Sequence, residues 1–181
     1  MTPEAFWQWF SANADHIAAD PNNPDLINVL DQHVLDTWPE LAWEIGPDPT
    51  GDWYFALSPN LNRALAASAG EAIRNAPSVK GWRLYPVRQR KSWDGRFEFE
   101  SQGRVLQFDS SGWQYVLLRY PEGDTEVVLT ASEAASLTAD DRWQAAAIVL
   151  EGLLGEACLL EHVNSFALEP VNNFSRRGKR A

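Results

Sequence analysis

Leu41-Ala42-Trp43-Glu44-Ile45, Gly46-Pro47-Asp48-Pro49-Thr50-Gly51 and, one residue on, Trp53-Tyr54-Phe55-Ala56-Leu57 decide the fold class of this chain. The outer two segments are short apolar runs rich in aromatic residues. The segment between them is all glycine, proline, aspartate and threonine, so the spacing predicts two strands joined by a loop. Upstream, the period is helical. Thr2-Pro3-Glu4 offers a hydroxyl N-cap, a proline at the first helical position and an acid near the positive end of the helix dipole. Phe6, Phe10, Asn13 and Ile17 then share a face, Trp7 and Trp9 broaden it, and Pro21 ends the helix. Asn23-Pro24-Asp25 repeats the start signal, and Leu26, Val29, Leu30, His33 and Val34 recur at helical spacing as far as Trp38-Pro39.

Downstream, Ser58-Pro59 predicts a third helix carrying Leu61, Leu65, Ala69 and Ile73 and ending near Ala76-Pro77. Strands are predicted at residues 82–87, 96–100 and 104–108, the last two turning at Ser101-Gln102-Gly103. Residues 114–120 and 126–130 flank a hairpin turn at Pro121-Glu122-Gly123-Asp124. A fourth helix starts at Asp140 or Asp141, carries Trp143, Ala147, Leu150 and Leu154 and ends at Gly155, and residues 166–171 return as a strand. This order is no repeating βαβ pattern. It predicts an α+β fold, an antiparallel or mixed sheet with about four helices packed against it. With no internal repeat and no Gly/Ser linker, residues 1–171 read as one domain and residues 172–181 as a disordered basic tail.

Cys158 is the only cysteine, which rules out a disulfide within the chain and fits a reducing compartment. The N-terminus lacks the basic and apolar regions of a signal peptide. The longest apolar stretch, residues 145–154, is broken by Glu151 and falls short of the about 20 residues a membrane span needs. The expectation is a cytoplasmic protein without membrane association.

Charge is unevenly placed. Residues 1–62 hold ten acids and no lysine or arginine, so the net charge of −10 belongs to the first third of the chain. The basic residues cluster instead at Lys80, Arg83, Arg88, Arg90, Lys91, Arg96 and Arg104, and again at Arg176, Arg177, Lys179 and Arg180. Acidic helices of this kind either face solvent, dock against the basic strands, or attract a cationic partner through their long-range field.

Motifs that carry chemistry are few. No phosphate-binding glycine loop and no Gly-x-Ser-x-Gly elbow occurs, so no cofactor is predicted and no catalytic residue is assigned. His16, His33 and His162 are scattered. His16 with Asp20 supplies only two ligand types at helical spacing, so no metal is predicted. Cys158 reads as a small core residue despite nearby His162, and Glu98 with Glu100 as a solvated strand face. The densest constellation runs from Trp82 to Trp93, where aromatic residues interleave with basic ones. Its candidate binding residues are Trp82, Tyr85, Arg88, Arg90 and Lys91, with Glu156 joined to them as a partner for an anion-clamping site. Such interleaving suits single-stranded nucleic acid, but the acidic total and the lack of an RNP-type or helix-turn-helix signature argue against that partner. The plainer reading is an amphipathic strand with its rings buried and its arginines paired to the acidic helices.

Leu41-Ala42-Trp43-Glu44-Ile45-Gly46, Phe55-Ala56-Leu57-Ser58, Ala76-Pro77-Ser78-Val79-Lys80-Gly81-Trp82, Arg88-Gln89-Arg90-Lys91 and Leu150-Glu151-Gly152-Leu153-Leu154-Gly155-Glu156 together resemble a family of uncharacterised bacterial proteins. The likeness covers roughly residues 40–170. Glu151 and Gly152 depart from the family's usual acidic-polar pair in its LDxxLGE element. The resemblance implies a shared fold in a bacterial cytoplasmic protein and brings no activity with it.

Weighed together, these features predict a non-catalytic protein-binding module, of the immunity or antitoxin kind, that meets a basic protein through its acidic first third. Two alternatives stand beside it. One is a small-ligand protein or enzyme acting on an anionic substrate; the other is nucleic-acid binding through the 82–93 strand. The oligomeric state is left open.

Overall fold

The loop-linked pair read at residues 41–57 is an antiparallel hairpin of β1 (Ala42–Pro47) and β2 (Trp53–Ser58), with Ile45 opposite Phe55 and Gly46 opposite Tyr54. This is a computed structural model in which residues 1–171 are described. The basic tail expected at 172–181 lies outside the described residues. The fold is α+β with small mixed and antiparallel sheets. Two compact units divide the described residues, one ending at Gln89 and the other starting at Arg90.

In the first unit β3 (Trp82–Tyr85) lies parallel to β2, giving the order β1-β2-β3. The helices α1 (Pro3–Ala19) and α2 (Pro24–Thr37) start as their sequences predict, for Thr2 Oγ1 accepts from the Ala5 N–H and Asn23 Oδ1 from those of Asp25 and Leu26. The third helix, α3 (Ala66–Arg74), starts later than expected. Ser58 closes β2 instead of capping the helix. Asn60 and Leu61 then turn through the left-handed region, and a short 3₁₀ turn capped by Asn62 intervenes. Strand alternation sends Ile45, Phe55, Leu57, Trp82 and Leu84 to the helices, where they join Phe6, Trp7, Phe10, Ile17, Leu30 and Val34 in one core.

The second unit opens with the hairpin of β4 (Arg96–Ser101) and β5 (Arg104–Asp109). Gln102 and Gly103 both have positive φ at its tip, as a two-residue hairpin turn of the primed kind requires. Phe97, Phe99 and Phe108 stack on one face of it, against the edge of Trp113. A second hairpin, β6 (Gln114–Arg119) and β7 (Thr125–Ala131), gains β8 (Ser165–Pro170) parallel to β7. Between β7 and β8 run α4 (Ala139–Leu154) and α5 (Glu156–His162), bent by 104° at Gly155. The helix α5 has no counterpart in the sequence reading. No single helix among the described residues is long and apolar enough to cross a membrane.

Both units therefore contain the same construction: an antiparallel hairpin, a helical crossover, and a third strand returning parallel to the hairpin's second strand. No repetition in residues announces it. They differ in what precedes the hairpin, two helices in the first unit and a second hairpin in the other.

Gly152 shows how tightly the second unit is assembled. It sits inside α4, where glycine costs about 1 kcal/mol relative to alanine. The rigid indole of Trp93 lies against it, so that an added Cβ would come within 2.7 Å of the ring, and the Lys91 N–H donates to the Gly152 carbonyl at 2.8 Å. Overpacking of this kind costs about 1–3 kcal/mol. Gly152→Ala is therefore expected to lower the thermal unfolding midpoint even though alanine is the better helix former; an unchanged or raised midpoint would show that the Trp93 contact is dispensable.

Candidate protein-interaction site

The candidate residues read from the 82–93 stretch divide between the units. Trp82, Tyr85 and Arg88 belong to the first, and Arg90, Lys91 and Glu156 to the second. Trp82 is a core residue, its ring centroid 5.0 Å from that of Phe10 and 5.9 Å from that of Trp53. It is not presented for stacking on a ligand. Glu156, fully buried at the start of α5, is not presented to solvent either. Arg90 and Lys91 are exposed, and Lys91 is anchored through its backbone to α4.

Tyr85 and Arg88 take part in a polar network of the first unit. Alternation places Glu44, Tyr54, Arg83 and Tyr85 on the sheet face opposite the helices. The Tyr54 hydroxyl donates to Glu44, and its ring lies so close to Gly46 that a Cβ there would sit 2.8 Å from it. Burial, then the bond to the Glu44 carboxylate, pushes the Tyr54 phenol well above its ordinary value. Beside it the Tyr85 hydroxyl donates to Asp48 at 2.9 Å, and Arg83 bridges Asp48 and Asp52 at 3.4 and 3.5 Å. Arg88 donates to Asn60 at 3.1 Å. These bonds fasten the β1–β2 loop to β3 and Asn60 to the chain that follows β3.

Asp48 is the carboxylate most enclosed by this network. The Thr50 hydroxyl donates to it at 2.5 Å and the Thr50 N–H at 2.9 Å, and with Tyr85 and Arg83 these outweigh the effect of burial and hold its carboxyl below the usual 3.8. A carboxyl acidified by folding stabilises the fold above its unfolded value, and that stability is lost as pH falls through the lower folded value. Unfolding free energy measured in urea from about pH 6 to about pH 3 should therefore fall less steeply for Asp48→Asn than for the native chain. Some slope will remain, because Asp109 and Asp141 are acidified by their own hydrogen bonds, Asp109 from Ser111 and Asp141 from Ser101 and Thr138. Identical slopes would mean that Asp48 is not acidified.

The other acids of the first third stand apart from this network. Glu4, Asp15, Asp20, Asp25, Asp31, Asp36 and Glu40, on or beside α1 and α2, are all exposed. Among the described residues none of them lies within ion-pair distance of a lysine or arginine. The arginines of the strand were expected to pair with the acidic helices; Arg83 pairs instead with Asp48 and Asp52 of the β1–β2 loop.

A groove of about 970 Å³ runs between α1 and α3. Glu4, Gln8 and Ser11 line one side and Ser68, Glu71 and Asn75 the other, with Trp7 and Trp38 among its apolar residues. Nothing in the sequence joined Glu71 to Glu4; the polar stripe Glu4-Gln8-Ser11 along α1 was the one available signal.

A second groove, of about 680 Å³, lies in the other unit between the β6–β7 hairpin and the α4–α5 pair. Tyr115, 73% exposed, and Leu117 line it on the strand side, and Leu153 and Leu154 on the helix side. Cys158, expected in the core, is half-buried along it near His162. Glu98 and Glu100 are exposed as expected, and Glu98 accepts from Gln107. No three metal-ligating side chains converge among the described residues.

The chain matches no family model, no curated protein and no solved structure.

Proposed function

We propose that this chain is a non-catalytic protein-binding module of the bacterial cytoplasm, of the immunity or antitoxin kind, whose α1–α2 face engages a basic protein. The observation that carries the reading is the set of exposed carboxylates on and beside these helices with no lysine or arginine paired to them among the described residues. Held on two rigid helices, like charges of this density make a field that steers a cationic surface toward it and sets its orientation. The polar network across the sheet supports the same view, because it holds Arg83 at the β1–β2 loop and away from the helix acids.

Attraction of this origin is screened over about 10 Å at 0.1 M salt and about 30 Å at 0.01 M. Crosslinked affinity purification from a native host should recover one basic protein at low salt and less of it at high salt. Asp15→Asn/Asp36→Asn/Glu40→Gln, which neutralises exposed positions outside the core, should reduce recovery at low salt without lowering the melting temperature. A partner captured equally by both baits at both salts would overturn the assignment of the acidic face, and an empty well-expressed bait would overturn the binding role itself.

A further inference from the structure

The α1–α3 groove borders the acidic face along α1, and its chemistry is more particular than its charge. Glu4 and Glu71 stand on its two sides, and among the described residues no lysine or arginine lines it. Trp7 and Trp38 also line it, their ring centroids 5.9 Å apart. Trp7 supplies a separate observation. It is 3% exposed, and among the described residues its indole N–H has no hydrogen-bond acceptor, an uncommon condition for a buried donor. The nitrogen is shielded from solvent, and because the residue lines the groove its indole reports on changes there.

Carboxylates with adjoining indoles match one side chain better than any other. A guanidinium is planar, always charged, forks its donors toward carboxylates and stacks on indole faces; an ammonium does only part of this. A volume of about 970 Å³ exceeds what one side chain needs and admits a short stretch of polypeptide.

We infer that the α1–α3 groove is the seat for an arginine-bearing segment of a basic partner, with the guanidinium held by Glu4 and Glu71 against the half-buried indole of Trp38. This rests on the protein-binding reading and names what its acidic face recognises.

Hexa-arginine and hexa-lysine, titrated calorimetrically into the full chain at physiological salt, test the site. Hexa-arginine should bind a few-fold more tightly than hexa-lysine. Glu4→Gln/Glu71→Gln should weaken it by about tenfold, whereas Asp15→Asn/Asp36→Asn, an equal loss of charge elsewhere on the face, should change it by less than about threefold. Because Glu4 also sits favourably in the first turn of α1, Glu71→Gln alone provides a variant free of that stabilising role and should still weaken binding several-fold. In nitrogen–proton correlation spectra the Trp7 indole signal should move during the titration. Equal weakening by the two double variants with an unmoved Trp7 signal would overturn the groove while leaving the acidic face intact as a general docking surface. Failure of hexa-arginine to bind, alongside recovery of a salt-sensitive basic partner from cells, would likewise remove the groove and not the binding role. Absence of both would remove the two together.

Discussion

Phe55, on the middle strand of the first sheet, is where the helices of that unit meet the strands. The Phe6, Trp7 and Phe10 rings lie 5.8, 5.7 and 5.0 Å from it, centroid to centroid, and Phe10 reaches on to Trp82 of the neighbouring strand. Aromatic contacts of this geometry add about 0.5–1.5 kcal/mol each beyond the area they bury. Their larger effect is directional. With Phe6, Phe10 and Ile17 fixed on the sheet, the opposite side of α1 has no alternative but solvent, and Glu4, Gln8, Ser11 and Asp15 are what that side carries. The acidic face and the wall of the groove are by-products of how the core is closed.

The recurrence of one strand-and-crossover construction in both units has a simple physical origin. A hairpin alone is marginal in water, and a third strand can join it in parallel only through a crossover long enough to hold a helix. The helix then supplies the apolar cover the sheet requires. In the first unit α1 and α2 add to this cover, α1 setting Phe6, Trp7 and Phe10 over Phe55 and α2 adding Leu30 and Val34 to the same core. The second unit has a β-hairpin in the corresponding place in the chain, and Tyr115 and Leu117 of its first sheet strand remain open to solvent along the apolar groove.

Much of this architecture was legible in the residues. The hairpins could be read because alternation, turn glycines and the Asp-Pro punctuation all agree, and the first two helices because their caps are written in Thr2 and Asn23. The start of α3 could not: a leucine at positive φ is rare, so nothing about Leu61 warns that the chain makes a further turn before the helix. The helix α5 was hidden because Gly155 reads as a stop, whereas here it ends one helix and begins the next. Of the site, the acid excess was plain, but the groove was not, since its two carboxylates come from helices far apart in the chain. The divergence of Trp82 and Tyr85 was available in principle. Residues three apart on a strand point to opposite faces, so the two were never able to serve one surface.

The small sheets have a consequence for how the molecule comes apart. Of the eight strands among the described residues, only β2 and β7 have a hydrogen-bonded neighbour on each side. Every other strand is an edge, free to peel from its single partner without breaking a second ladder. A middle strand keeps one ladder when the other opens, so the full release of β2 or of β7 requires two ladders to break and marks the opening of its unit as a whole.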